Sequence, residues 1–517
     1  MRRLSAGTWL ALVFALIAVG LLAWLGMDLL GGPARVSYLV TVATPPEQMV
    51  TVEARLEHLP RRITTLRLGM NTRYAFVMPD SALLAGPPEL TAADGRQLTL
   101  RQVGPFEWLA ALGSTRDLAL RYRVPLTQRA LPGVAGRDEY EQPFMLAGTD
   151  GQPGYGMLST GAVFIAPLNA GEPELRVSFA PPAGWALHVP WPEAEPGVYA
   201  PAGVADLRED LVALGAWSVR EVERGGCRVE IAVAPGQERL ERLVTPFVAR
   251  IVEAELGLFG MTPQPRYLFL FHPGRADFFA GSPKSNSMTL QLSADPERPF
   301  KLADLSRLVA HEFHHTWVHA RYAPPDVLRF FNEGFTDYYA FLVSARLGLI
   351  DWERFGEELA ERMDRLAANP LVGQMSLAEA GGPIFFESEP AGDLVYHGGT
   401  LLAALLDRHL RAAGDSLGLD GFMRGFNNDP RWGWEHAPGL SDFVAAVASA
   451  AGEDYAAALR ARVTEPWSLD PVTAFAEEGV TVTRQPAPGG ERYWLDPAPW
   501  QMDAAEVEHG DAVADSL

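Results

Sequence analysis

One cysteine in 517 residues, Cys227, excludes an internal disulfide. It lies in the strand-like run CRVEIAVA, which points to a buried thiol. Positive charge is also scarce. With 43 Lys and Arg against 64 Asp and Glu the formal charge is −21, which argues against nucleic acid or an anionic membrane surface as partner. No internal repeat is detectable. Charge is missing altogether from Trp9 to Met27, nineteen residues that as a helix would span about 28 Å, close to the roughly 30 Å hydrocarbon core of a bilayer. The run exceeds the apolar stretch of a cleaved signal, and Gly32-Pro33-Ala34 is a poor cleavage site. The expectation is a single inner-membrane helix, with Arg2 and Arg3 cytoplasmic and the rest of the chain on the periplasmic side; the alternative is secretion after signal cleavage.

Behind that segment, 48% hydrophobic content and the length allow two to four domains with sizeable cores. Residues 36 to about 225 alternate or cluster β-branched and apolar residues (VSYLVTVAT, MVTVEARLEHL, LALRYRVPL, ELRVSFAPP) between Pro, Gly and Asp-Gly turns, predicting a β-sandwich. From about Leu240 the period becomes helical, followed by the buried strand RYLFLFH and a Gly-rich turn entering an edge strand, FFAGSPKSNSMTLQLS.

The stretch Ala310 to Tyr339 carries the chemistry. On a helix, His311 and His315 of His311-Glu312-Phe313-His314-His315 lie about 40° apart around the axis and roughly 6 Å along it, so two imidazoles can share one ion. Glu312, turned about 100° from His311, is placed to reach a water on the ion's open side. A catalytic zinc site needs a third protein ligand. If the helix runs on to Ala323 and is broken by Pro324-Pro325, a second helical segment from Asp326 brings Glu333 back level with His315, about 12 Å out and about 10 Å back. Asp337, four residues further on the same face, can accept a ligand imidazole's second N–H. His314 points off the His311 face, and His319 lies too far along the helix to join the same ion, so core or surface roles are expected for both.

The sequences HEFHHTW and NEGFTDYY resemble the glycyl aminopeptidase family of gluzincin zinc metallopeptidases, relatives of aminopeptidase N and thermolysin. The resemblance covers about residues 36 to 482 and implies an α+β multidomain fold. Its parts would be an N-terminal anchor or signal segment (1–33), a β-sandwich (34–225), a thermolysin-like zinc catalytic domain (226–350), a helical C-terminal region (351–482) and an acidic tail (483–517). The last is too short for the PDZ domain many members carry. It implies Zn2+ on His311, His315 and Glu333, Glu312 as general base, and peptide or protein substrates. Tyr396, in Tyr396-His397-Gly398-Gly399, stands where the relatives have the tyrosine of a Y-x-K-G motif that donates to the oxyanion; the motif's lysine is absent here. In such enzymes the edge strand pairs with the substrate, which nominates Gly281, Asn286 and Ser287. This chain departs from the family's G-G-L-E-H-R-N-S-like stretch by placing Pro283 and Lys284 at the acidic and imidazole positions. A lysine there would repel a substrate α-ammonium, unless it points to solvent. Two other readings stand beside a peptidase: a membrane-anchored metal-binding scaffold without catalysis, and a hydrolase of a non-peptide amide.

Overall fold

The computed structural model describes residues 33–43, 47–70, 84–104, 106–126, 144–146, 154–259, 265–273, 280–292, 302–318, 324–433, 436–487 and 490–501. The expected membrane segment, Trp9 to Met27, lies outside them, as does His319. Among the described residues no helix is long and apolar enough to cross a membrane. The chain divides into two compact units, Met1–Trp217 and Ser218–Leu517.

The first unit is sheet-rich. The strands Arg35–Ala43 and Met49–Glu57 alternate buried and exposed residues, the pattern of a sheet with one covered face. They sit in the middle of an eight-stranded sheet. Among the described residues, two four-stranded sheets make up the rest of the unit's strands. Val36, Val52, Leu66, Trp108, Leu158 and Val212, drawn from all three sheets, belong to one apolar core, which is the sandwich arrangement the alternation predicts.

The second unit begins with β1 (Ser218–Arg224), which pairs with β2 (Cys227–Val233) in a tight hairpin. Gly225 and Gly226 turn it with positive φ at both positions, a conformation that costs glycine little. The boundary expected after residue 225 thus falls inside a hairpin, and the division lies after Trp217 instead. Helix α1 (Glu238–Phe259) crosses over to β3 (Arg266–Pro273), parallel to β2. Then come β4 (Ala280–Pro283) and β5 (Ser287–Leu292), and the sheet order is β1-β2-β3-β5-β4. This corrects the expected edge. The edge strand is Ala280–Pro283, whereas Ser287–Leu292 is an interior strand held on both sides.

The helices α2 (Leu302–Val318), α3 (Thr336–Arg346), α4 (Trp352–Ala368) and α5 (Glu389–Ala412) continue the same unit and share its core, so the expected division at residue 350 is not a boundary. Nor is 483–517 a tail throughout. Val482–Ala487 and Gly490–Leu495 form a hairpin, and Trp500 is buried with its indole N–H donating to the Tyr338 hydroxyl at 2.8 Å. Burying an indole is worth several apolar contacts, enough to fix this otherwise polar segment to the helices. Residues 502–517 lie outside the described residues.

Candidate metal centre

Helix α2 presents His311 and His315 on one face, and their Nε2 atoms lie 3.3 Å apart. Glu333 arrives by a path that differs from the regular helix expected. A single 3-10 turn, Asp326–Leu328, leads into a π-helical turn, Phe330–Phe335, before α3 begins. Phe330, Phe331 and Phe335 are all buried in the core, and the wider π turn presents Glu333 on the side away from them. Glu333 Oε2 stands 3.6 Å from His311 Nε2 and 3.8 Å from His315 Nε2. Bonds of about 2.0–2.2 Å at tetrahedral angles separate ligand atoms by about 3.3–3.5 Å. The three side chains therefore fit a Zn2+ ion, and the donor set is of the zinc type.

Two backbones must meet for this to happen. A Cβ on Gly334 would fall 2.4 Å from Gly399 Cα, and one on Gly399 would fall 2.2 Å from the Phe330 carbonyl oxygen. Helix α5 thus crosses the π turn with main chain against main chain, and Thr400 Oγ1 donates to the Gly334 carbonyl at 3.2 Å. The crossing places Tyr396, one turn earlier on α5, against Glu333, whose carboxylate accepts from the Tyr396 hydroxyl. Burial and the neighbouring Glu333 charge raise the Tyr396 pKa well above its ordinary value.

Asp337 is gripped by residues that sequence reasoning missed. Arg362 on α4 donates from Nη2 and Nε at 2.7 and 3.2 Å, and Arg307 on α2 donates at 3.0 Å. His311 Nδ1 lies 3.5 Å away, long for a hydrogen bond but on the correct side of the ring. Burial opposes charge on Asp337, yet Arg362, His311 and Arg307 hold its pKa well below the usual carboxylate range. Arg307 sits one helical turn before His311 and was in principle readable; Arg362, 25 residues past Asp337, left no signal.

Glu312 lies beneath the edge strand. A Cβ on Gly281 would come within 2.3 Å of Glu312 Cγ and 2.6 Å of its Oε1, so only glycine lets β4 pass this close. Burial, partly offset by His311, pushes the Glu312 pKa up to about 7. Lys284, just past the end of β4, is 7% exposed, which rules out the reading that it points to solvent; its charge is among those lowering the Glu312 pKa. Asn286 and Ser287 are buried, and their carbonyls accept from the Leu268 N–H and from the Lys284 N–H and Tyr267 hydroxyl. Their backbones serve the sheet, which leaves Gly281 as the nominated residue on the edge. His314 is fully buried behind the site, 3.7 Å from Glu255 and stacked on Tyr339, a core role as expected. His397 is buried, and burial lowers its pKa to about 3.

A five-stranded sheet, an H-E-x-x-H helix against its edge and a glutamate returned by the next helical segment make up an aminopeptidase-like multidomain fold. Residues 304–385 match the M61 glycyl aminopeptidase family, the family whose motifs the sequence resembles. Among solved structures, the chain is similar to an aminopeptidase N family protein from Idiomarina loihiensis, at 19% identity over 87% of this chain and 79% of that one, TM-score 0.69. It is also similar to an M1 zinc metallopeptidase from Deinococcus radiodurans, a mutant of which was solved with a Tyr-Ser-Ala substrate, at 16% identity over 85% and 95%, TM-score 0.55. At these identities the likeness is one of fold. No curated protein matches the chain.

Proposed function

We propose that this protein is a zinc-dependent peptidase, held by Trp9 to Met27 at the inner membrane with its catalytic unit on the periplasmic side. The observation that carries the activity is the convergence of His311, His315 and Glu333 to tetrahedral spacing with Glu312 beside them under the edge strand. Zn2+ held by the three ligands would acidify water and polarise a carbonyl. Glu312 takes the proton of the attacking water and later delivers it to the leaving amine, a task suited to a buried carboxyl held beside the three ligands. Tyr396, kept protonated by its surroundings, offers its hydroxyl to the oxyanion. An extended substrate lies along β4, passing over Gly281.

The buried Lys284 favours a particular version of this reading. A fixed cation near the general base disfavours a free α-ammonium at the edge strand, so N-blocked peptides or internal bonds suit the site better than free N-termini. One experiment addresses both points: zinc content and hydrolysis of paired free and N-acetylated peptides by the wild type and Glu312→Gln. The reading requires full zinc occupancy and loss of turnover in the variant. Wild-type turnover in Glu312→Gln would remove the base assignment, and strict dependence on a free amine would establish aminopeptidase action against the Lys284 argument.

A further inference from the structure

Phe386 is 66% exposed, the most exposed large apolar side chain among the described residues, and it ends a row of rings that starts at the metal centre. Its ring lies 5.0 Å from Phe385, centroid to centroid, at 88°. Phe385 lies 5.9 Å from Tyr396 at 32°, and Tyr396 lies 6.1 Å from His311 at 33°. The Arg329 guanidinium carbon stands 4.7 Å from the Phe385 centroid and 4.7 Å from that of Phe386. Arg329 is itself tied down, donating to Asp326 at 2.5 Å and to the Gly382 carbonyl at 3.4 Å. The 3-10 turn Pro383–Phe386 closes onto these residues because Gly381 leaves room: a Cβ there would fall 2.5 Å from the Asp326 carbonyl oxygen.

An aromatic ring that served only packing would be expected to bury its face, since apolar surface left in water forgoes its favourable transfer. Phe386 is instead held outward, with Arg329 against one side. A ring fixed in advance loses little side-chain freedom when something stacks on it. What can reach it is limited by its position, two ring-to-ring steps from the hydroxyl-bearing Tyr396. The path is at most about 11 Å from Tyr396 and about 17 Å from His311, so at about 3.3 Å per extended residue the ring stands within about five residues of a bond cleaved at the metal centre.

We propose that Phe386 is a specificity-determining residue that contacts substrate, the outer member of a platform taking an aromatic or large aliphatic side chain of the peptide near the cleaved bond. This rests on the peptidase reading above. The test uses the zinc-loaded full chain, its Phe386→Ala and Phe386→Trp variants, and quenched peptides in which one position at a time is Phe, Leu, Ser or Gly. The wild type prefers Phe or Leu at one position by about tenfold in kcat/KM, an ordinary margin for one apolar contact. Phe386→Ala reduces that preference to within about twofold, through KM, while Ser and Gly peptides are unaffected and Phe386→Trp retains it. The same preference in Phe386→Ala, or an equal loss on every peptide, overturns the proposal. So does a change in sedimentation without a change in selectivity, which would make the ring a contact between copies of the chain. Failure of the underlying reading looks different: the wild type cleaves no peptide faster than Glu312→Gln does, and the proposal falls with it.

Discussion

Gly281 and Glu312 occupy space that no other residue pair could share: a methyl group added to the glycine would sit 2.6 Å from the carboxyl oxygen of the glutamate and 2.3 Å from its Cγ. The edge strand is therefore the lid over this carboxyl and fixes its direction. Gly281→Ala must push the Glu312 side chain aside, because the strand is tied to β5 through its backbone. We expect zinc content unchanged and kcat/KM lowered by about 10²-fold, the cost of misplacing a reacting group by about 1 Å. Destabilisation should stay in the range of about 1–3 kcal/mol typical of overpacking. Isothermal zinc titration and peptide kinetics on the variant check this; wild-type kinetics would mean that Glu312 has no part in turnover.

Asp337 connects the metal centre to α4, and its replacement should be felt in two separate measurements. Asp337→Asn keeps the shape but removes the charge opposed to Arg362 and Arg307. Arg362 keeps Glu358 as a partner at 2.9 Å, so losing the Asp337 charge should cost about 1–3 kcal/mol, visible in chemical denaturation of the metal-free protein. The carboxylate behind His311 also raises that ring's basicity, so zinc affinity measured by chelator competition should fall about 10–100-fold. Loss of stability with unchanged zinc affinity would assign Asp337 to the arginines alone.

How far these features were readable from sequence depends on the range of the interactions. The spacing of His311 and His315 is set by helix geometry over one turn, and the structure brings Glu333 and Asp337 to them as expected, though through a 3-10 turn and a π turn rather than a regular helix. The alternating strands of the first unit were legible for the same reason. The π turn at Phe330–Phe335 was not, since nothing in FFNEGF differs from an ordinary apolar helix start until α5 is packed against Gly334. That the backbone carbonyls of Asn286 and Ser287 are taken up inside the sheet was not legible, because the order β5-β4 at the sheet's end is a tertiary fact, invisible in the period of either strand. The C-terminal hairpin was hidden by its exposed composition. Val482, Leu495 and Trp500 are buried there, and the Trp500 indole bonds to Tyr338, 162 residues earlier.

Acid should destabilise the folded chain through a buried histidine away from the metal centre. His272, on β3, is buried with Nε2 2.9 Å from Thr289 Oγ1 and Nδ1 3.2 Å from the Pro273 carbonyl oxygen. Burial lowers its pKa from 6.5 to about 4, outweighing the Pro273 contact, which acts in the other direction. The folded protein therefore binds this proton less readily than the unfolded chain. The neutral ring contributes its full stability above pH 6.5, and that contribution is lost as pH falls from 6.5 towards 4. Between pH 7.5 and 5 the loss amounts to about 2 kcal/mol. Burial lowers the pKa of His315 and His397 too, so the wild type should lose more than this single share, whereas His311, raised to about 10, works in the opposite sense. Subtracting a variant isolates the one ring. His272→Gln, which can still reach Thr289 but does not titrate, should show a urea midpoint that moves less between pH 7.5 and 5 by the equivalent of about 2 kcal/mol, measured on chelator-treated protein so that metal binding does not contribute. Parallel pH profiles for variant and wild type would mean that His272 keeps its ordinary pKa in the folded chain.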